Sequence, residues 1–156
     1  PNLLSIGGSV RDSAWTDASD AVYLSWLMRG SKAAYLAEVD AATGAARIIA
    51  RDSGKTYVEI ANPQDPASFY VTRDRAHAFW WSERDGWGHL YRFDGKGVAA
   101  MAAVTGSTTR MTPEPAAQLT SGDWQVGQIS HVDEVAQQIY FTGRGRDGFL
   151  YYPKLY

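Results

Sequence analysis

The chain has 156 residues and a formal net charge of −2, from 17 acidic against 15 basic side chains. That balance lacks the basic excess with which proteins grip a phosphate backbone, which argues against a nucleic-acid partner. The absence of cysteine excludes disulfides, thiolate nucleophiles and thiolate metal sites, and no run of eighteen apolar residues offers a membrane segment.

Six tryptophans, nine tyrosines and fifteen glycines favour pleated, half-buried strands and tight turns. Helical signals are weak, because Ala33-Ala34 and Ala41-Ala42 are interrupted by Tyr35, Val39 and Gly44 and sustain no 3.6-residue period. In chain order, strands are expected over 22–26, 33–39 and 47–49, punctuated by Arg29-Gly30 and Thr43-Gly44. Asn62-Pro63-Gln64-Asp65-Pro66 is a loop, since two prolines forbid a central strand. Strands over 77–82 and 89–93 then flank a tight Asp85-Gly86 turn, and Asp94-Gly95 marks the next turn. The stretch 97–117, rich in Ala, Thr, Met and Pro, reads as an inserted surface loop before a strand ending Gln118-Leu119-Thr120. Asp133-Glu134 marks a solvated turn, and strands over 137–142 and 149–152 flank Asp147-Gly148.

These hairpins repeat. Asp17, Asp74 and Glu134 each precede a hydroxyl residue by eight positions, at Ser25, Ser82 and Thr142, which lie 57 and 60 residues apart. An arginine follows at 84 and again at 144. Four short strands per unit at this period give a propeller-like array. The expectation is an all-β partial β-propeller: units at 9–53 and 69–120, and an incomplete third at 126–156. Pro1 and the strand pattern running to Leu155-Tyr156 predict a segment of a larger protein. Isolated, such an open arc exposes strand edges, so self-association is expected.

Few constellations promise chemistry. No Gly-x-Ser-x-Gly elbow occurs, and His77, His89 and His131 sit in or beside strand patterns, where a structural role is the commoner one. Gly143-Arg144-Gly145-Arg146-Asp147-Gly148 has the letters of a dinucleotide fingerprint but precedes a strand instead of a helix, so it reads as a turn. Three scattered histidines give no metal-ligand spacing, and no cofactor is implied. Trp80, Trp81, Trp87, Tyr91 and Phe93, interleaved with Arg84 and Arg92, could stack on sugars or bases, although alternate aromatics more often pack sheet on sheet. The recurrence of Arg84 and Arg144 points to pairing with a neighbouring acid.

The phrase Ser82-Glu83-Arg84-Asp85-Gly86-Trp87-Gly88-His89-Leu90-Tyr91 resembles the signature of the β-propeller of dipeptidyl-peptidase IV-like serine peptidases, in the prolyl oligopeptidase family. Trp26 with Arg29, Val39-Asp40-Ala41-Ala42-Thr43-Gly44 and Leu119-Thr120-Ser121-Gly122-Asp123-Trp124 fit the same resemblance in the same order. It implies an eight-bladed propeller capping an α/β-hydrolase domain whose Ser-Asp-His triad releases N-terminal dipeptides, with proline or alanine second. Neither the nucleophile elbow nor the amine-anchoring glutamate pair of that family is found here. The implied partners are therefore the hydrolase domain and peptide substrates, and the chain alone is expected to be inactive. The family's chamber-facing loop corresponds to about 59–69, making Glu59, Asn62, Gln64 and Asp65 the candidate substrate-chamber residues. Ser82, Glu83, Arg84, Asp85, Gly86, Trp87, His89 and Tyr91 are expected to act structurally. A non-enzymatic propeller interaction module is the alternative, and a carbohydrate-binding β-domain rests on the aromatics alone.

Overall fold

The alternation along the chain becomes three antiparallel sheets in the computed structural model, which describes residues 8–60, 69–99, 113, 115–146, 148 and 154–156. Strands β1 (Gly8–Trp15), β2 (Ala21–Met28), β3 (Ala33–Asp40) and β4 (Ala46–Ser53) pair in order, and the short β8 (Val98–Ala99) adds to the outer side of β4. The second sheet runs β5 (Phe69–Val71), β6 (His77–Ser82), β7 (His89–Asp94) and β9 (Ala117–Gln118). The third has β10 (Gln125–Asp133), β11 (Gln138–Arg144) and β12 (Lys154–Leu155). The chain is thus all-β, a partial β-propeller of two complete blades and an incomplete third. Among the described residues there is no helix, and hence none long and apolar enough to cross a membrane.

The sheets pack face to face through two cores. Tyr23, Leu27 and Leu36 of the first sheet meet Ala78, Trp80, Tyr91 and Phe93 of the second, with Ile60 closing the gap. Trp81 and Leu90, on the opposite face of the second sheet, meet Val126 and Ile129 of the third, with Ile139 and Phe141 packed against them. Adjacent residues on a strand point to opposite faces. Trp80 and Trp81 therefore serve one core each, and both are almost wholly buried. The Trp80 indole donates to Asp52 Oδ2 of the first sheet at 3.1 Å, and the Trp81 indole to the Val126 carbonyl of the third at 2.8 Å.

Three expectations need correction or refinement. The hydroxyl alignment slips by one residue at Ser82. In the first two blades the turn-closing bonds run from Thr16 N–H to the Ala21 carbonyl and from Thr72 N–H to the His77 carbonyl, with Ser19 and Arg75 both at positive φ. Ala21 therefore corresponds to His77, and Ser25 to Trp81. The period is 56 residues there, not 57. A one-residue slip exchanges the two faces of a strand, so Ser82 lies on the Trp80 face, toward the first sheet. The second, at Glu134, is a refinement: the expected exposed turn is present, with Val135 97 % exposed, but Glu134 also serves a contact between sheets. Its Oε1 accepts from the Tyr70 hydroxyl at 2.8 Å and from Arg73 N–H at 3.0 Å, linking the third sheet to the second. The third is that the stretch expected as a loop from 97 begins with β8. Residues 149–152, read as a strand, lie outside the described residues, as do 100–112.

Gly88 lies against the Trp81 ring, where an added Cβ would come within 2.2 Å of Cζ2. Overpacking of this kind costs about 1–3 kcal/mol. Gly88→Ala should lower the urea midpoint of unfolding correspondingly, followed by tryptophan fluorescence; an unchanged midpoint would contradict the packing described.

Candidate functional site at the hairpin end

The β6–β7 connection is six residues long, 83–88, and wider than a two-residue turn. Side chains replace the ladder there by bonding to nearby backbone. Gly86, at φ 103°, donates its N–H to the Glu83 carbonyl at 2.9 Å, a conformation that favours glycine. Asp85 Oδ1 accepts from Trp87 N–H at 3.3 Å, and Asp85 Oδ2 accepts from the Gln118 amide. Partial burial opposes ionisation of Asp85, but these donors outweigh it and hold the carboxyl below its ordinary range.

Arg84 folds back over its own strand. Its backbone N–H and Nε donate to Ser82 Oγ at 3.1 and 3.0 Å, which points the guanidinium across the gap between sheets. There one terminal nitrogen donates to Asp52 Oδ1 at 2.8 Å and to the Arg51 carbonyl at 3.1 Å. The same group lies 4.9 Å from the Tyr91 ring centroid and 5.4 Å from that of Phe93. Asp52 is shared, since its other oxygen takes the Trp80 indole N–H. With Asp52 7 % and Arg84 23 % exposed at the side chain, this is a sheltered, charge-assisted clasp and not a solvated surface pair.

Of the remaining motif residues, His89 and Tyr91 pack inward. His89 is fully buried, with Nδ1 3.0 Å from Thr120 Oγ1 and Nε2 3.0 Å from the Gly122 carbonyl. The Gly122 carbonyl can only accept, so Nε2 donates to it, while Thr120 Oγ1, which also accepts from Leu90 N–H, meets Nδ1. His89 thereby holds the segment leading to Trp124, against which it packs edge-on. Burial, reinforced by Asp85, pushes the Tyr91 phenol up to about 12, so it stays neutral. Trp87 is 43 % exposed at the rim.

Glu59 is brought beside this hairpin. It follows β4 on a segment anchored by Val58 N–H donating to the Ser31 carbonyl and by the buried Ile60. Glu59, Glu83, Arg84 and Asp52 line a cleft of about 220 Å³ with Tyr57 at its edge. Burial raises the Glu83 carboxyl above its ordinary value, and Glu59 and Asp52 add repulsion. Asn62, Gln64 and Asp65, the other candidate chamber residues, lie outside the described residues. Asp52, which completes the clasp, is not distinguished by the sequence motif. The arginine two residues after Ser82 is the signal the sequence offers that some acid faces it. Arg144 is not its equivalent in the third sheet, because the slip seen at Ser82 displaces it too.

Residues 8–156 match the family described as the dipeptidyl peptidase IV (DPP IV) N-terminal region. The chain belongs to this family. A crystal structure of Porphyromonas gingivalis dipeptidyl peptidase 4 shares the fold, with a TM-score of 0.63 over 87 % of this chain at 23 % identity. The chain spans 16 % of the length of that protein. Within this DPP IV N-terminal segment, two clefts of about 420 and 440 Å³ lie at the other end of the strands, beside Thr16 and Thr72. The Glu59–Glu83 cleft stands apart from them at the hairpin end.

Removing Arg84 strands a buried carboxylate, which costs about 3 kcal/mol. Arg84→Ala should destabilise by that order, and pairing it with Asp52→Asn should recover part of the loss; strict additivity in the double-mutant cycle would show that the clasp carries no coupling. Glu83 gives a pH dependence of defined sign. Its folded-state value is raised, so its contribution is fully present below the unfolded value and is lost as pH rises through the folded one. Glu83→Gln should therefore raise Tm at about pH 7 and leave it unchanged near pH 4, checked by calorimetry at both.

Proposed function

We propose that this chain is the propeller segment of a DPP IV-like serine exopeptidase that releases N-terminal dipeptides with proline or alanine second. The observation that carries the proposal is the family match from residue 8 to 156, which includes the Ser82–Tyr91 hairpin and its buried clasp. On this reading the segment shapes and gates the chamber that admits short peptides, and an α/β-hydrolase domain of the same protein breaks the bond. The Glu59–Glu83 cleft and the loop with Asn62, Gln64 and Asp65 then face the chamber.

The residues fit a supporting role. Among the described residues no histidine contacts a serine beside an acid: His89 is bound to Thr120 and Gly122, and His131 packs on Tyr140. A general base tied up in this way is unavailable for proton transfer. The two apolar faces of each sheet also need neighbours, so the isolated chain should associate with itself.

Cleavage of a Gly-Pro chromogenic dipeptide tests the activity. The full-length protein should hydrolyse it and the isolated 156-residue chain should not. A folded full-length protein without activity would refute the peptidase reading and favour an interaction propeller.

A further inference from the structure

The cleft of about 440 Å³ at the turn end lies between the second sheet and the third. Phe79 and Leu119 on one side, and Val132 and Ile139 on the other, give it an apolar lining, with Leu119 40 % exposed. Arg92 is the one arginine or lysine among the described lining residues. Alternate residues of a strand share a face, so Arg92 stands on the same side of β7 as Leu90, which packs toward the third sheet. It pairs across the ladder with Phe79. Arg92 is half-buried and its Nε is shut off from solvent. Among the described residues its guanidinium has no hydrogen-bond, ion-pair or aromatic-ring partner. A desolvated donor without an acceptor is costly, and folded proteins carry few of them.

The carboxylates that also line the cleft are committed elsewhere. Asp74 accepts from the Thr72 hydroxyl and Ala76 N–H, and Asp133 from the N–H groups of Val135 and Ala136. Glu134 accepts from the Tyr70 hydroxyl and Arg73 N–H. One uncommitted positive charge therefore faces an apolar hollow of the size that takes a small organic molecule. We propose that this cleft binds a small monocarboxylate with an apolar or aromatic body, its carboxylate on Arg92 and its body against Phe79, Val132 and Ile139. A guanidinium presents parallel donors that match the two oxygens of a carboxylate. A dianion such as inorganic phosphate suits the cleft less, because a single guanidinium meets it among three carboxylates that repel it. Both walls belong to this chain, and the site is independent of the peptidase reading.

Titration calorimetry on the full-length protein tests this, with 3-phenylpropionate as a free acid and N-acetylphenylalanine as the stand-in for a peptide C-terminus. At least one of the two should bind with Kd below about 10 mM, and the one that binds identifies the source. Its neutral amide should bind at least about tenfold more weakly. Arg92→Met should remove the difference between acid and amide. The same variant should leave Tm unchanged or raised, because it deletes a donor that has no partner. Arg92→Lys keeps the charge without the paired donors and should retain part of the affinity. Binding of neither acid, or of acid and amide alike, would overturn the proposal. So would Arg92→Met binding the acid as wild type does, or inorganic phosphate binding more tightly than either acid. A lower Tm in Arg92→Met would also overturn it, since the guanidinium would then be holding the fold and not awaiting a ligand.

Discussion

Trp80 and Trp81 bind the molecule into one stack. Neighbours on one strand must face opposite ways, so each indole enters a different core and each donates its N–H across a different gap, one to Asp52 and one to Val126. The middle sheet is thereby locked to both neighbours from a single dipeptide. The Arg84 clasp and the Tyr70–Glu134 bond add polar links across the same two gaps.

Polar links sit at both ends of this apolar stack. At the hairpin end Arg84 spans to Asp52, and at the turn end Arg75 spans to Asp20, with Glu38 receiving both Arg75 and Arg47. The two ends differ in environment. Asp20 is open to solvent, held low chiefly by the Thr16 hydroxyl and then by Arg75, so its pair is screened and weak. Asp52 is sheltered and shares its charge between a guanidinium and an indole, so losing either partner leaves a buried charge.

The polar residues of the hairpin end are taken up by structural contacts. The buried histidine has both nitrogens occupied, and Tyr91 is held neutral by burial. The negative potential that Glu59 and Glu83 create arises because two carboxylates share a cleft whose one guanidinium is committed to Asp52. Burial and repulsion at Glu83 are the electrostatic consequence of placing two carboxylates beside a closed structural clasp.

The amino-acid sequence by itself determined the fold class, the strong hairpin at 77–93 and the family, because alternation, turn glycines and a long motif are local signals. It left the first strands of the sheets indistinct: β1 is polar and mostly exposed, and β5 has three residues, so neither presents a clear alternation. It misplaced Ser82 against Ser25 by one residue, an error invisible in the letters because a strand has only two faces. The tertiary structure alone decided that Asp52 is the partner of Arg84, that Glu59 approaches Glu83, that Glu134 reaches Tyr70, and that β8 crosses to the first sheet. Each of these joins residues from different units, and the physical reason is the same throughout: which groups meet across a gap depends on how far the packed rings hold the sheets apart, a distance that no single segment encodes.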